Sequence, residues 1–214
     1  MVQPASRGPG RPPAAKAAET RKRILRAARE VFSERGYDAA TFQAIAIRAD
    51  LTRPAINHYF SNKRALYREV AKETNDVVVV ASVQRALRET TLVGRVSAFI
   101  DAATQADIEN RTAAAFLITV ALESQRHPEL GHEEADSVRT TREFLSRAID
   151  DAIKSGELAA DTDAPALTEA LIAVLLGVGF YAGFVANRHE IDTVFGQVNQ
   201  LLANSLTRRL NSGR

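Results

Sequence analysis

Cysteine is absent from the 214 residues, which excludes disulfides, thiolate zinc sites, Cys-held iron–sulfur clusters and any cysteine nucleophile or redox switch. Histidine is scarce, with four residues and no thiol to join them. Proline (7) and glycine (11) are too few, and hydrophobic residues at 45 % too many, for a collagen-like or disordered chain. The opening MVQPASRGPGRPP contains no apolar stretch that serves as a signal-peptide core, so a cytoplasmic location is expected. Strand alternation is not sustained anywhere. Even the four-valine run 77–80 lies inside a helix-compatible segment, and the chain reads as all-α.

What is present is a division of charge. Residues 1–72 hold 15 Lys or Arg against 6 Asp or Glu, a net of +9, whereas residues 73–214 hold 13 against 20, a net of −7. A basic piece ahead of an acidic, more apolar body suggests an anion-binding module attached to something that need not touch anions. The expected organisation is a basic arm over 1–16, a small basic unit over 17–70 and a larger helical body over 71–214.

From Glu19 the pattern turns helical. Ile24, Leu25, Ala28, Val31 and Phe32 form one apolar face, with Gly36 as a left-handed cap. Thr41 is placed to cap a short helix that turns Ile45, Ala46 and Ala49 inward and stops near Asp50 and Leu51. Thr52 caps the next, with Pro54 in its first turn and Ile56 and Phe60 as core; Ser61 opens a longer helix through Leu66, Tyr67 and Val70. Two short helices joined by a tight turn make a helix-turn-helix, which sets the start of its second helix against base edges in the major groove. Arg53 suits guanine, Asn57 adenine and Ala55 a thymine methyl. Five longer helical segments follow residue 90, and the uncharged run 170–187 is expected to be buried on all sides rather than to span a membrane.

The segment ILRAAREVFSERGYDAATFQAIAIRADLTRPAINHYFSNKRALYREV strongly resembles the DNA-binding domain of the TetR family of transcriptional regulators. That resemblance implies phosphate and base contacts at Thr41, Gln43, Thr52, Arg53, Pro54, Ala55, Asn57, His58, Tyr59 and Lys63. Two positions depart from the family pattern. Asp50 stands where Gly is usual in the turn, and Asp tolerates a left-handed conformation better than most residues. Asn57 replaces a common Tyr, exchanging an aromatic phosphate contact for a base reader. In the arm, Arg11 within PGRPP looks like the Gly-Arg-Pro core of minor-groove arms.

For the body, the resemblance implies a pocket for a small hydrophobic or aromatic inducer. Its candidate lining is Phe99, Ala103, Phe116, Thr119, Val120, Glu123, Phe144, Leu145, Leu175, Gly179 and Tyr181, with Gln105 as a further orienting group. The family pairs its last two helices with those of a second subunit, which puts Gly183, Phe184, Val194, Val198, Leu201, Leu202 and Leu206 at a homodimer interface. The function expected is that of a repressor on an inverted-repeat operator in double-stranded DNA, released by its inducer, with no cofactor, metal, catalytic residue or membrane partner. The alternatives are an activator, a nonspecific architectural DNA-binding protein, or a metal-dependent helical enzyme using His127, His132 and Glu133 of HPELGHEE, a spacing that matches no established ligand motif.

Overall fold

The computed structural model describes residues 13–110, 112–127, 136–185 and 188–211. Arg11, His132 and Glu133 lie outside the described residues, and so does the side chain of Leu206. Four helices come first: α1 (Pro13–Ala39), α2 (Phe42–Arg48), α3 (Arg53–Tyr59) and α4 (Lys63–Asn75). A widened π turn (Asp76–Val80) carries α4 into α5 (Ala81–Ala86). The body continues with α6 (Leu92–Asn110), α7 (Ala113–Arg126), α8 (Asp136–Lys154), α9 (Ala164–Phe180) with a second π turn (Tyr181–Val185), and α10 (Arg188–Asn211). No strand occurs among the described residues.

Local chemistry explains most boundaries. α1 begins at Pro13, ahead of the expected Glu19, and breaks where Gly36 takes φ 72°. A side chain there would also meet Glu123 Oε1 at 3.0 Å, so the glycine answers both backbone and space. The cap of α4 is Asn62 rather than Ser61, its Oδ1 accepting from the Ala65 N–H at 2.8 Å. The first N–H of α6 is covered from afar, with both Glu157 carboxylate oxygens 2.9 Å from the Leu92 nitrogen.

Two hydrophobic cores result. The first joins Ile24, Ala28, Val31 and Phe32 of α1 to Ile45, Ile56 and Phe60, and to Leu66, Tyr67 and Val70 of α4. Phe116 and Val120 of α7 complete it, so a helix of the body closes the core of the N-terminal unit. Phe32, Tyr37, Tyr67 and Phe116 form one aromatic cluster, the Phe32–Tyr67 rings standing edge to face at 4.9 Å. The second core gathers Val96, Phe99, Ile100, Phe144, Leu145, Ile149, Leu171, Ile172 and Phe195.

α9 departs from the expectation of burial on all sides. Thr168, Leu171 and Ile172 are buried, but Ala173, Gly177, Phe180 and Phe184 form an outward apolar stripe, with Phe180 50 % and Phe184 49 % exposed. An apolar run lacks the polar phase that would have told its inner face from its outer one. Ala164–Val185 is long and apolar enough to cross a membrane by length and composition.

Exposed ion pairs tie helix to helix: Arg95–Asp151 at 2.8 Å (α6 to α8) and Arg142–Glu169 at 2.7 Å (α8 to α9). Hydrogen bonds from these arginines hold both carboxyl groups below their ordinary range. A carboxylate whose pKa is lowered by folding contributes stability above its unfolded pKa and loses it as pH falls through the folded value. Thermal melts are therefore expected to be flat above about pH 5 and to fall progressively below about pH 4. Arg142→Gln should reduce that acid loss; an identical acid profile in the variant would show that the pair contributes nothing.

Candidate nucleic-acid interface

The turn between α2 and α3 is held from several directions. Thr41 caps α2, its hydroxyl accepting from the Ala44 N–H at 3.1 Å, and Thr52 caps α3, accepting from Ala55 at 3.3 Å. Between them Asp50 takes φ 51°, the left-handed position expected of it, while the Leu51 N–H reaches back to the Ala46 carbonyl at 2.9 Å. Arg23 of α1 donates to the carbonyls of Ala49 (2.6 Å) and Asp50 (3.0 Å), closing the open C-terminal end of α2 with a positive charge. Arg48 grips Glu30 (3.0 Å) and Glu34 (2.8 and 2.9 Å) on α1. The Glu34 carboxyl is held below its ordinary value by that hydrogen bond, and Arg48 is held more firmly protonated. Sequence reasoning missed both arginines, because no local pattern marks partners 14 to 27 residues away.

On α3, Ile56 and Phe60 are buried, whereas Thr52, Arg53, Pro54, Asn57 and His58 are exposed and Ala55 and Tyr59 half-buried. The Arg53 and Asn57 side chains form no hydrogen bond or ion pair among the described residues. His58 sets its ring edge to face with Tyr59 at 5.4 Å. Thr41 and Gln43 are exposed on the α2 side. The helix start thus offers one guanidinium, an amide and an imidazole, the groups that read base edges. Lys63 is placed differently from its neighbours. Its ammonium donates to the Tyr37 (2.7 Å) and Asp38 (3.1 Å) carbonyls and stands 4.4 Å over the Tyr37 ring, closing the end of α1.

In the body, a cavity of about 110 Å³ lies between α6, α7, α8 and α9. Phe99, Ala103, Leu175 and Gly179 line it as the sequence suggested, together with Val78 and Val79 of the π turn and Ala114, Leu117 and Ile118 of α7. Thr104 and Thr141 also reach it, but their hydroxyls donate to the Ile100 and Ser137 carbonyls of their own helices. No charged side chain is among the lining residues. The other candidates lie elsewhere. Phe116 and Val120 sit in the N-terminal core, Phe144 stacks on Phe99 at 5.6 Å behind the lining, and Leu145 is buried beside it. Thr119 bonds the Ala115 carbonyl, Tyr181 is half-buried in the second π turn, and Gln105 is exposed. Glu123, 7 % exposed, meets the His127 imidazole at 3.3 Å, which also stands 3.2 Å from Asp38.

The profile described as "Bacterial regulatory proteins, tetR family" matches residues 24–70, and that described as "BetI-type transcriptional repressor, C-terminal" matches residues 93–207, more than half of the chain. The chain belongs to the TetR family. Its relatives include the HTH-type transcriptional regulator UidR of Escherichia coli, 26 % identical over 159 residues that cover 74 % of this chain and 79 % of UidR. The HTH-type transcriptional activator FasR of Mycolicibacterium smegmatis is 42 % identical over 88 residues, covering 39 % of this chain and 40 % of FasR. Among solved structures, a TetR-like regulator from Rhodococcus sp. RHA1 shares the fold with a TM-score of 0.70 at 18 % identity, covering 92 % of this chain and 98 % of its own.

TetR-family proteins are DNA-binding transcriptional regulators, and the class is not enzymatic. Of the residues the family resemblance put at a subunit interface, the chain uses several internally. Gly183 allows α7 to approach so closely that a Cβ would stand 2.6 Å from the Ala115 nitrogen. Val194, Val198 and Leu202 pack partly buried against the second core, leaving Phe184 and Leu201 exposed. The placements of Lys63 and Arg53 generate a contrast. Lys63→Ala is expected to cost about 1.5–3 kcal/mol in denaturant unfolding, the range for hydrogen bonds to a charged group. Arg53→Ala should stay within about 0.5 kcal/mol of the parent while weakening DNA binding. Equal stability of the two variants would remove Lys63 from its role at the end of α1.

Proposed function

We propose that the chain is a cytoplasmic homodimeric repressor that binds an inverted-repeat operator and is released by a small apolar ligand in the body cavity. The observation that carries this is the double use of α7. Ala114, Leu117 and Ile118 face the cavity, while Phe116 and Val120, on the same helix, complete the core beneath the helix-turn-helix. A ligand that fits the cavity better in one placement of α7 therefore biases the DNA-binding unit, and its leverage equals its differential affinity for the two placements. The nearly apolar lining, with the Thr104 and Thr141 hydroxyls already bonded to their own helices, favours a neutral hydrocarbon or aromatic body in the ligand.

The outward stripe of α9, with Leu201 of α10 65 % exposed, supports pairing with a second copy. A twofold dimer carries two α3 helices into successive major grooves about 34–36 Å apart. The exposed Thr41, Gln43, Thr52, Arg53, Asn57 and His58, with the half-buried Ala55 and Tyr59 among them, support a set of DNA contacts. We assign base edges to Arg53, Asn57, His58 and Ala55, and phosphates to Thr41, Gln43, Thr52 and Tyr59. An activator is the second reading, because relatives named as activator (FasR) and as repressor (BepR of Brucella suis) both match this chain.

Selection of bound sequences from a random DNA library should enrich an inverted repeat, and a transcription assay on that repeat gives the sign of regulation. Enrichment of a single half-site, or of nothing by folded protein, would defeat the dimeric operator. Phe180→Glu should shift the protein to monomer in sedimentation equilibrium; a folded, fully dimeric variant would place the interface elsewhere. Gly179→Leu adds a side chain toward Ile118, whose Cδ1 would lie 3.5 Å from the new Cβ. The variant should keep operator binding and lose release by the apolar ligand in fluorescence anisotropy. Undiminished release would clear the cavity of that role.

A further inference from the structure

A second cavity, of about 340 Å³, opens between α1 and the α4 end that runs into the first π turn. Its chemistry is the reverse of the first. Arg23, Arg26 and Arg29, three residues apart along α1, and Lys22 beside Arg23 bring four cations to it, against the two carboxylates Glu19 and Glu73. Arg29 forms the interior part, only 6 % exposed, while Lys22 and Arg26 are exposed at the rim. Burial raises the pKa of the half-buried Glu73 carboxyl, an effect opposed by the nearby Arg29, Arg21 and Lys22 and reinforced by Glu69. Cations gathered in a partly desolvated concavity stabilise a multivalent anion more than the same charges spread over open surface. Guanidinium forks also match the oxygens of a phosphate.

We propose that this groove is a phosphate-binding site. It lies outside the apolar cavity and outside the exposed face of α3, and two of its lining residues connect to those elements. Arg23, at one end, also holds the Ala49 and Asp50 carbonyls of the helix-turn-helix turn. Val77, at the other, belongs to the π turn whose Val78 and Val79 line the apolar cavity. A phosphate in the groove draws Lys22 and Arg26 inward and competes with the Asp50 carbonyl for Arg23. The phosphate is carried either by a free phosphorylated small molecule or by the DNA backbone.

The two sources separate experimentally. The full chain is titrated with sodium pyrophosphate at constant ionic strength by calorimetry, without DNA, so the outcome does not depend on the operator assignment. Saturable binding is expected, about tenfold weaker in Lys22→Ala/Arg26→Ala, the loss of one charge-assisted contact or more, and tighter in Glu73→Gln. The control Arg85→Ala/Arg88→Ala removes the same charge from exposed positions on and just after α5 and should leave binding unchanged. Pyrophosphate that does not bind, combined with a shallower salt dependence of duplex DNA affinity in the groove variant than in the control, assigns the phosphate to DNA. Groove and control variants that behave alike in both titrations overturn the site, with circular dichroism melts verifying that each variant is folded.

Discussion

Much of this molecule depends on Phe116 being shared. The ring stands 5.8 Å from Tyr67 and 6.4 Å from Phe32, inside the core that supports α2 and α3, yet it is borne by a helix of the body. An N-terminal unit of about 60 residues buries comparatively little surface by itself. Borrowing Phe116 and Val120 enlarges its core and makes the placement of the helix-turn-helix conditional on α7. Glu123 and His127 extend the same face toward Gly36 and Asp38, so three successive turns of α7 meet α1.

With α7 fixed, the recognition surface needs only short-range support. The left-handed Asp50 is one of two non-glycine residues with positive φ among the described residues, and it occupies the tightest point of the motif. Such a conformation costs about 1–2 kcal/mol for an L-residue. Arg23 offsets part of that by satisfying two carbonyls that the end of α2 would otherwise leave open. Arg48, with Glu30 and Glu34, holds the opposite edge. α3 can therefore present Arg53 and Asn57 uncommitted because arginines elsewhere fix its backbone.

The legible parts of this architecture were those with a local signal. Thr41, Thr52 and Gly36 announce helix ends through capping chemistry that spans three or four residues, and the structure uses each of them so. The helical class and the five longer segments after residue 90 follow from periodicity in the same way. Phase was illegible where polarity was missing. The stretch TAAAFLITVAL carries no charge on any side, so nothing in it tells Phe116 and Val120, which enter the N-terminal core, from Leu117 and Ile118, which line the cavity. The same silence hid the direction of Gly183, spent on Ala115 of its own chain, and the outward stripe of α9. Lys63 was obscured for another reason: a cation suits a phosphate and a helix C-terminus equally, and only the fold places Tyr37 and Asp38 beside it.

The uncharged run on α9 then acquires a physical account. Leu175, Val178, Gly179 and Ala182 turn toward the cavity, while Ala173, Gly177, Phe180 and Phe184 turn away from it. A soluble helix has no reason to be apolar on both sides unless both sides are covered. The fold covers one with α6, α7 and α8, and the proposed second subunit covers the other. Under that arrangement α9 separates ligand from partner by the thickness of one helix, as α7 separates ligand from the DNA-binding core. In the proposed dimer, a ligand in the cavity would press on the two helices that set the placement of α3 within a subunit and the spacing of the two α3 helices across it.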